Sequence, residues 1–218
     1  MFHLDFDGTK RAILSTLGMT GWWEVATAEA VKRWPLDTDP MVKHRRIDID
    51  LSNGSKLSYF DPRNFGTFKV VEYSEMKRKL TELGPDILMP EKLWNSIAFP
   101  EFFARARRFG RSLTLAEGLL NQRIACGCGN YIRADAMYLA GLAPQRKLAE
   151  LTDMELRRIW IAMNSIALAS LLNKDVLTSE GMFKNLCYHR KMSPNGNPTV
   201  SYKDKNNRTV WWCPMEQA

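Results

Sequence analysis

Residues 119–142 read LLNQRIACGCGNYIRADAMYLAGL, and the groups best placed to do chemistry lie in the middle of that stretch. Gly127, Gly129 and Asn130 stand between two apolar repeats of helical spacing. Glycine lets a backbone turn sharply and come close to another molecule. Asn130 sits where the N-cap of the second helix is predicted. A helix N-terminus with free N–H groups and no bulky side chain in front of it accepts an anion. Arg123 and Arg133 flank this point, so the expected anion is a phosphate. The same spacing also suits a plain helical hairpin with a Gly-Asn turn, because GxGN is a short pattern.

Two helices must position these groups. Leu115, Leu119, Leu120 and Ile124 mark the first, and Ile132, Met137 and Leu139 the second. Upstream, residues 1–73 alternate as strands: FHLDF, RAILST, RIDIDLS, KLSYFD and GTFKVVEY. Asp7-Gly8 and Asn53-Gly54 are turn signals, and a polar, proline-bearing loop is expected over residues 28–43. SEMKRKLTELG is predicted as a short helix that stops at Gly84-Pro85. Residues 91–172 read as almost wholly helical. Thr152 with Glu155 opens the last long helix. The tail forms two short strands around Lys205-Asn206-Asn207.

Composition bounds the partners. The 218 residues carry a net charge of +7, which suits a polyanion. Cys126, Cys128, Cys187 and Cys213 do not make a secreted disulfide framework in a chain of this length, so reduced thiols in the cytoplasm are expected, with no secretion. No run spans a membrane. There is no P-loop and no dinucleotide glycine fingerprint. His3, His44 and His189 are scattered.

Residues 119–144, ending AGLAP, resemble the helix–two-turn–helix of the formamidopyrimidine-DNA glycosylase and endonuclease VIII family, with its LLDQ, G-x-GN and AG-[IL]-x-P marks. LGMTG, residues 17–21, is similar to that family's LGM[ST]G, and DPRNFG, residues 61–66, to its DPR-x-FG. The resemblance implies an α+β fold in three parts. These are a partial antiparallel β-sandwich over residues 1–83, a helical DNA-binding domain over 84–180, and a zincless β-hairpin finger over 181–218. It implies base-excision repair, with N-glycosylase and abasic-site lyase chemistry on oxidised bases and damaged double-stranded DNA as partner. A non-catalytic DNA-binding module is the alternative.

Site residues follow from the same resemblance. Met19, Arg63 and Phe65 would fill the hole left by an everted nucleotide. An apolar wedge restores contact there, an arginine fork reaches a base edge, and a phenyl ring stacks on any base. Met19 also reads as a core methionine, and Phe65 as a plug in the sandwich. Gly129, Asn130, Arg123, Arg133 and Arg208 would hold phosphates. The family's finger carries two CxxC pairs, but here Cys213 is followed by Glu216, and the first pair falls near Asn195 and Pro198, so no zinc or other cofactor is expected. The family's nucleophile is an N-terminal proline followed by glutamate. Met1-Phe2 does not match, so no catalytic residue is assigned in this chain. A missing N-terminal segment or a second polypeptide is expected to supply that chemistry.

Overall fold

The computed structural model describes residues 2–5, 10–18, 20–33, 42–88 and 97–218. The chain divides into two compact units, Met1–Leu80 and Thr81–Ala218.

The first unit holds two antiparallel sheets of three strands. One runs β1 (Phe2–Asp5), β2 (Arg11–Thr16), β6 (Thr67–Glu72); the other runs β3 (Trp22–Ala26), β5 (Lys56–Phe60), β4 (Arg45–Asp50). Strand β2 is sealed from Ala12 to Leu14, and Ala12, Leu14 and Val71 pack with Met76 into a small core. Met76 comes from α2 (Tyr73–Glu82), the helix predicted after the last strand. The sheets meet at Trp23, whose ring lies 5.0 Å from Tyr59 and 6.3 Å from Phe68. The Tyr59 hydroxyl donates to the Thr16 carbonyl at 3.3 Å. Part of the expected loop over 28–43 is a helix, α1 (Ala28–Arg33). Thr27 starts it by accepting the Ala30 N–H at 3.2 Å, and the good helix formers that follow carry it on. The Asp7-Gly8 turn lies outside the described residues.

The second unit is built on α6 (Asp153–Leu171). Thr152 and Glu155 form the predicted capping box at its start. Trp160 is 1% exposed and stacks on Phe102 of α3 (Phe99–Phe109) at 5.0 Å. Helices α4 (Leu115–Leu119) and α5 (Asn130–Leu139) complete the layer. Strands β7 (Val200–Lys203) and β8 (Thr209–Trp212) pair as the expected hairpin, with Val200 opposite Trp212 and Tyr202 opposite Val210. Val210 is fully buried in the helical core, so the hairpin belongs to this unit. Among the described residues no helix is long and apolar enough to cross a membrane.

Candidate nucleic-acid interface

Helix α4 is shorter than its apolar repeat suggests. It ends at Leu119, and Ile124 is buried from a turn instead. The polar pair Asn121-Gln122 causes this. Asn121 Oδ1 accepts the Arg123 N–H at 3.1 Å, a side-chain turn that competes with helix. Gln122 then braces the loop from inside. Its Nε2 donates to the Leu120 and Cys128 carbonyls at 3.2 and 3.0 Å, and its Oε1 accepts the Gly127 N–H at 2.9 Å. Gly127 has φ +91°, a left-handed value that only glycine takes readily.

The loop delivers the chain to the N-terminus of α5. Gly129, not Asn130, occupies the N-cap, and it supplies no capping side chain. The correction has a physical cause, because the Asn130 side chain is engaged elsewhere. Its Nδ2 donates to the Thr209 carbonyl at 3.1 Å, and its Oδ1 accepts from Arg133 Nη2. Asn130 therefore fastens α5 to β8 and leaves the first-turn N–H groups uncapped. A Cβ at Gly129 would meet nothing within 4 Å, so the approach to those groups is open. In front lies a cleft of about 620 Å³, bounded by Gln122, Gly129 and Asn130 and, from the hairpin turn, by Asp204, Asn206 and Arg208.

Arg133 does not face this cleft as a phosphate ligand would. It is 0% exposed, and its Nη1 lies 3.0 Å from Asp204 Oδ2. It also donates to the Ala116 and Thr209 carbonyls at 3.1 and 2.9 Å. Its position on the inner face of α5 forces the charge inward, and four acceptors receive it. Arg133 thus acts on the site through the hairpin. Asp204 Oδ1 accepts the N–H groups of Asn206 and Arg208 at 3.0 and 2.9 Å and so shapes the turn that carries Arg208. Burial would raise the Asp204 carboxyl, but these N–H groups and Arg133 outweigh it and hold its pKa below the ordinary range. The other carboxylate at the cleft, Glu117, pairs with Lys205 at 3.1 Å. Arg208 is exposed at the rim. Arg123 is exposed too, but its guanidinium stacks on Phe109 at 4.6 Å and borders a separate depression with Arg105 and Arg108.

In the first unit the turn over residues 61–66 is held by Asp61. Its Oδ2 accepts the Gly66 N–H at 2.8 Å and the Tyr59 hydroxyl at 3.3 Å. Burial pushes the Asp61 carboxyl up, and the Gly66 and Phe65 N–H groups overcome it, so it stays ionised. The turn presents Arg63 over the Phe65 ring at 4.6 Å, and Phe65 is 55% exposed, so it does not plug the sandwich. Gly18 has φ +62°, and a Cβ there would come within 2.7 Å of the Phe65 carbonyl carbon. The LGMTG and DPRNFG loops are therefore in contact. Met19 itself lies outside the described residues.

Sequence reading missed Gln122 as a loop brace and Asp204 as the partner of Arg133. The signal for Asp204 was the polar run Asp204-Lys205-Asn206-Asn207, since an aspartate there makes a side-chain turn.

A family model described as formamidopyrimidine-DNA glycosylase N-terminal domain matches residues 1–68. The chain is 26% identical over 212 residues to a formamidopyrimidine-DNA glycosylase of Cronobacter sakazakii, covering 91% of this chain and 73% of that one. It is 31% identical over 163 residues to the same-named protein of Xanthomonas campestris pv. campestris, covering 75% and 54%. In fold it is similar to Lactococcus lactis formamidopyrimidine-DNA glycosylase bound to DNA containing an abasic site, with a TM-score of 0.70, 18% identity, and coverage of 95% of this chain and 75% of that one.

Proposed function

Because the chain belongs to the formamidopyrimidine-DNA glycosylase and endonuclease VIII family, we propose that it binds damaged double-stranded DNA in base-excision repair. The observation that carries this reading is the cleft between the open N-terminus of α5 and Arg208. Backbone N–H groups and one guanidinium facing a common space suit a phosphate diester, whatever the base sequence. The exposed Arg63–Phe65 pair supplies the second requirement. A cation stacked on a ring is pre-organised to enter a duplex where a base is absent.

The chemistry in this reading is glycosidic cleavage of oxidised bases followed by β-elimination at the abasic site. An amine attacks C1′, the base leaves, and the resulting iminium directs elimination of the 3′ phosphate. Residues 1–218 carry no proline-glutamate start to serve as nucleophile and acid. In our reading that pair comes from an N-terminal segment or a second polypeptide, and residues 1–218 supply recognition. The finger is read as working without zinc.

The experiment is equilibrium binding of the 218-residue polypeptide to duplexes with and without an abasic-site analogue, beside borohydride trapping on a true abasic site. Preferential binding without a trapped adduct is expected. Binding with no preference for the abasic site would favour a plain DNA-binding module.

A further inference from the structure

The base of the hairpin holds a cluster that DNA recognition leaves unexplained. Ser193, Asn195 and Asn197 lie on the turn before β7, Cys213 and Glu216 follow β8, and Tyr138 belongs to α5. All five other side chains point their donors at the Glu216 carboxylate. Oε2 accepts from the Tyr138 hydroxyl at 2.6 Å and from Asn195 Nδ2 at 2.7 Å. Oε1 accepts from Asn197 Nδ2 at 2.9 Å, from Cys213 Sγ at 3.4 Å, and from Ser193 Oγ. The turn is closed by the Ser193 N–H on the Asn197 carbonyl at 2.8 Å and the Gly196 N–H on the Ser193 carbonyl at 3.0 Å.

The structure sets Ser193 against Glu216, so the first pair of the four-ligand zinc finger that the family resemblance implies falls at 193 and 196, with 213 and 216 as the second, and not at the expected Asn195 and Pro198. The residues present do not fit zinc. The four positions hold a hydroxyl, a glycine, a thiol and a carboxylate, and both oxygens of that carboxylate are already taken by donors.

We propose that the Glu216 carboxylate sits in the seat of a metal ion and replaces it, tying the turn before β7 and the C-terminal residues to Tyr138 with hydrogen bonds. A single anion receiving five donors is a compact cross-link, and charge-assisted hydrogen bonds are stronger than neutral ones. Tyr138 brings the tie onto the helix whose N-terminus borders the cleft, so the hairpin that carries Arg208 needs no metal to hold its place. The proposal concerns the chain's own hairpin and stands whether or not the DNA reading holds.

The test is amide hydrogen exchange on the full chain, with elemental analysis for zinc. No stoichiometric zinc is expected, and chelator should leave exchange unchanged. Glu216→Gln should speed exchange at residues 193–199 and 213–218 at least tenfold while the amides of α3 and α6 stay slow. Tyr138→Phe, a milder change, should speed the same residues by less. A second variant, Ser193→Cys with Glu216→Cys, gathers new thiols beside Cys213 and should bind Co²⁺ with a thiolate charge-transfer band that the natural chain lacks. One zinc per chain whose removal loosens the hairpin would overturn the proposal. So would unchanged exchange in Glu216→Gln, or no cobalt band in the double variant.

Discussion

Arg133 and Asp204 face each other at 3.0 Å with side chains 0% and 4% exposed, and they join the inner face of α5 to the turn of the hairpin. Removing one partner of such a pair leaves a buried charge without its counterion and costs about 3–5 kcal/mol. Arg133→Ala should therefore destabilise the second unit by that amount in denaturant unfolding. Asp204→Asn keeps the shape and should cost less. If Arg133 instead served as a surface phosphate ligand, Arg133→Ala would leave stability within about 0.5 kcal/mol, as surface changes do.

Arg63 and Phe65 invert that pattern. Phe65 is 55% exposed and its partner cation lies above the ring, so alanine at both positions should change stability little. Their loss should appear in recognition. Stacking on a base is worth about 1–3 kcal/mol, so the preference for an abasic-site duplex over an intact one should fall roughly five- to 150-fold. Competition binding checks this, and an unchanged preference would assign the pair to the surface alone.

Much of this was readable in the residues. The Thr152–Glu155 capping box and the hairpin follow from local signals, because caps and turns are set by neighbours in sequence, whereas the contact of Gly18 with the Phe65–Gly66 backbone joins distant residues. Gly18→Ala tests that contact. It combines φ +62° with a contact at 2.7 Å, and should destabilise the first unit by more than 1 kcal/mol on melting. What could not be read was the fate of polar side chains with distant partners. Asn130 looked like a cap until Thr209, 79 residues on, took its amide. Arg133 looked like a surface cation until Asp204, 71 residues on, met it in the interior. Periodicity gives the face of a helix but not what comes to cover it.

Acid should weaken the second unit through two carboxylates. Arg146 at 2.5 Å and the Thr152 N–H at 2.7 Å hold Glu155 down to about 2. Burial would raise Glu216, but its hydrogen-bond donors outweigh that and bring it to about 2 as well. Both folded values lie below the ordinary 4.5. Their contribution is thus complete above about pH 4.5 and is lost as pH falls towards 2. Melting temperature measured from pH 6 to 2.5 should decline across that window, and Glu155→Gln should flatten part of the decline. A melting temperature that holds constant to pH 3 would mean these contacts contribute nothing.

A phosphate held between the N-terminus of α5 and Arg208 is the contact that DNA binding should depend on, and a salt titration of binding reads it directly. The natural chain should bind an abasic-site duplex with an affinity that falls as salt rises. Arg208→Ala should weaken binding to every duplex and make the slope of log K against log salt shallower by about 0.9, one phosphate contact. Binding that ignores salt, or a slope and affinity unchanged in Arg208→Ala, would mean that no phosphate is held between α5 and Arg208.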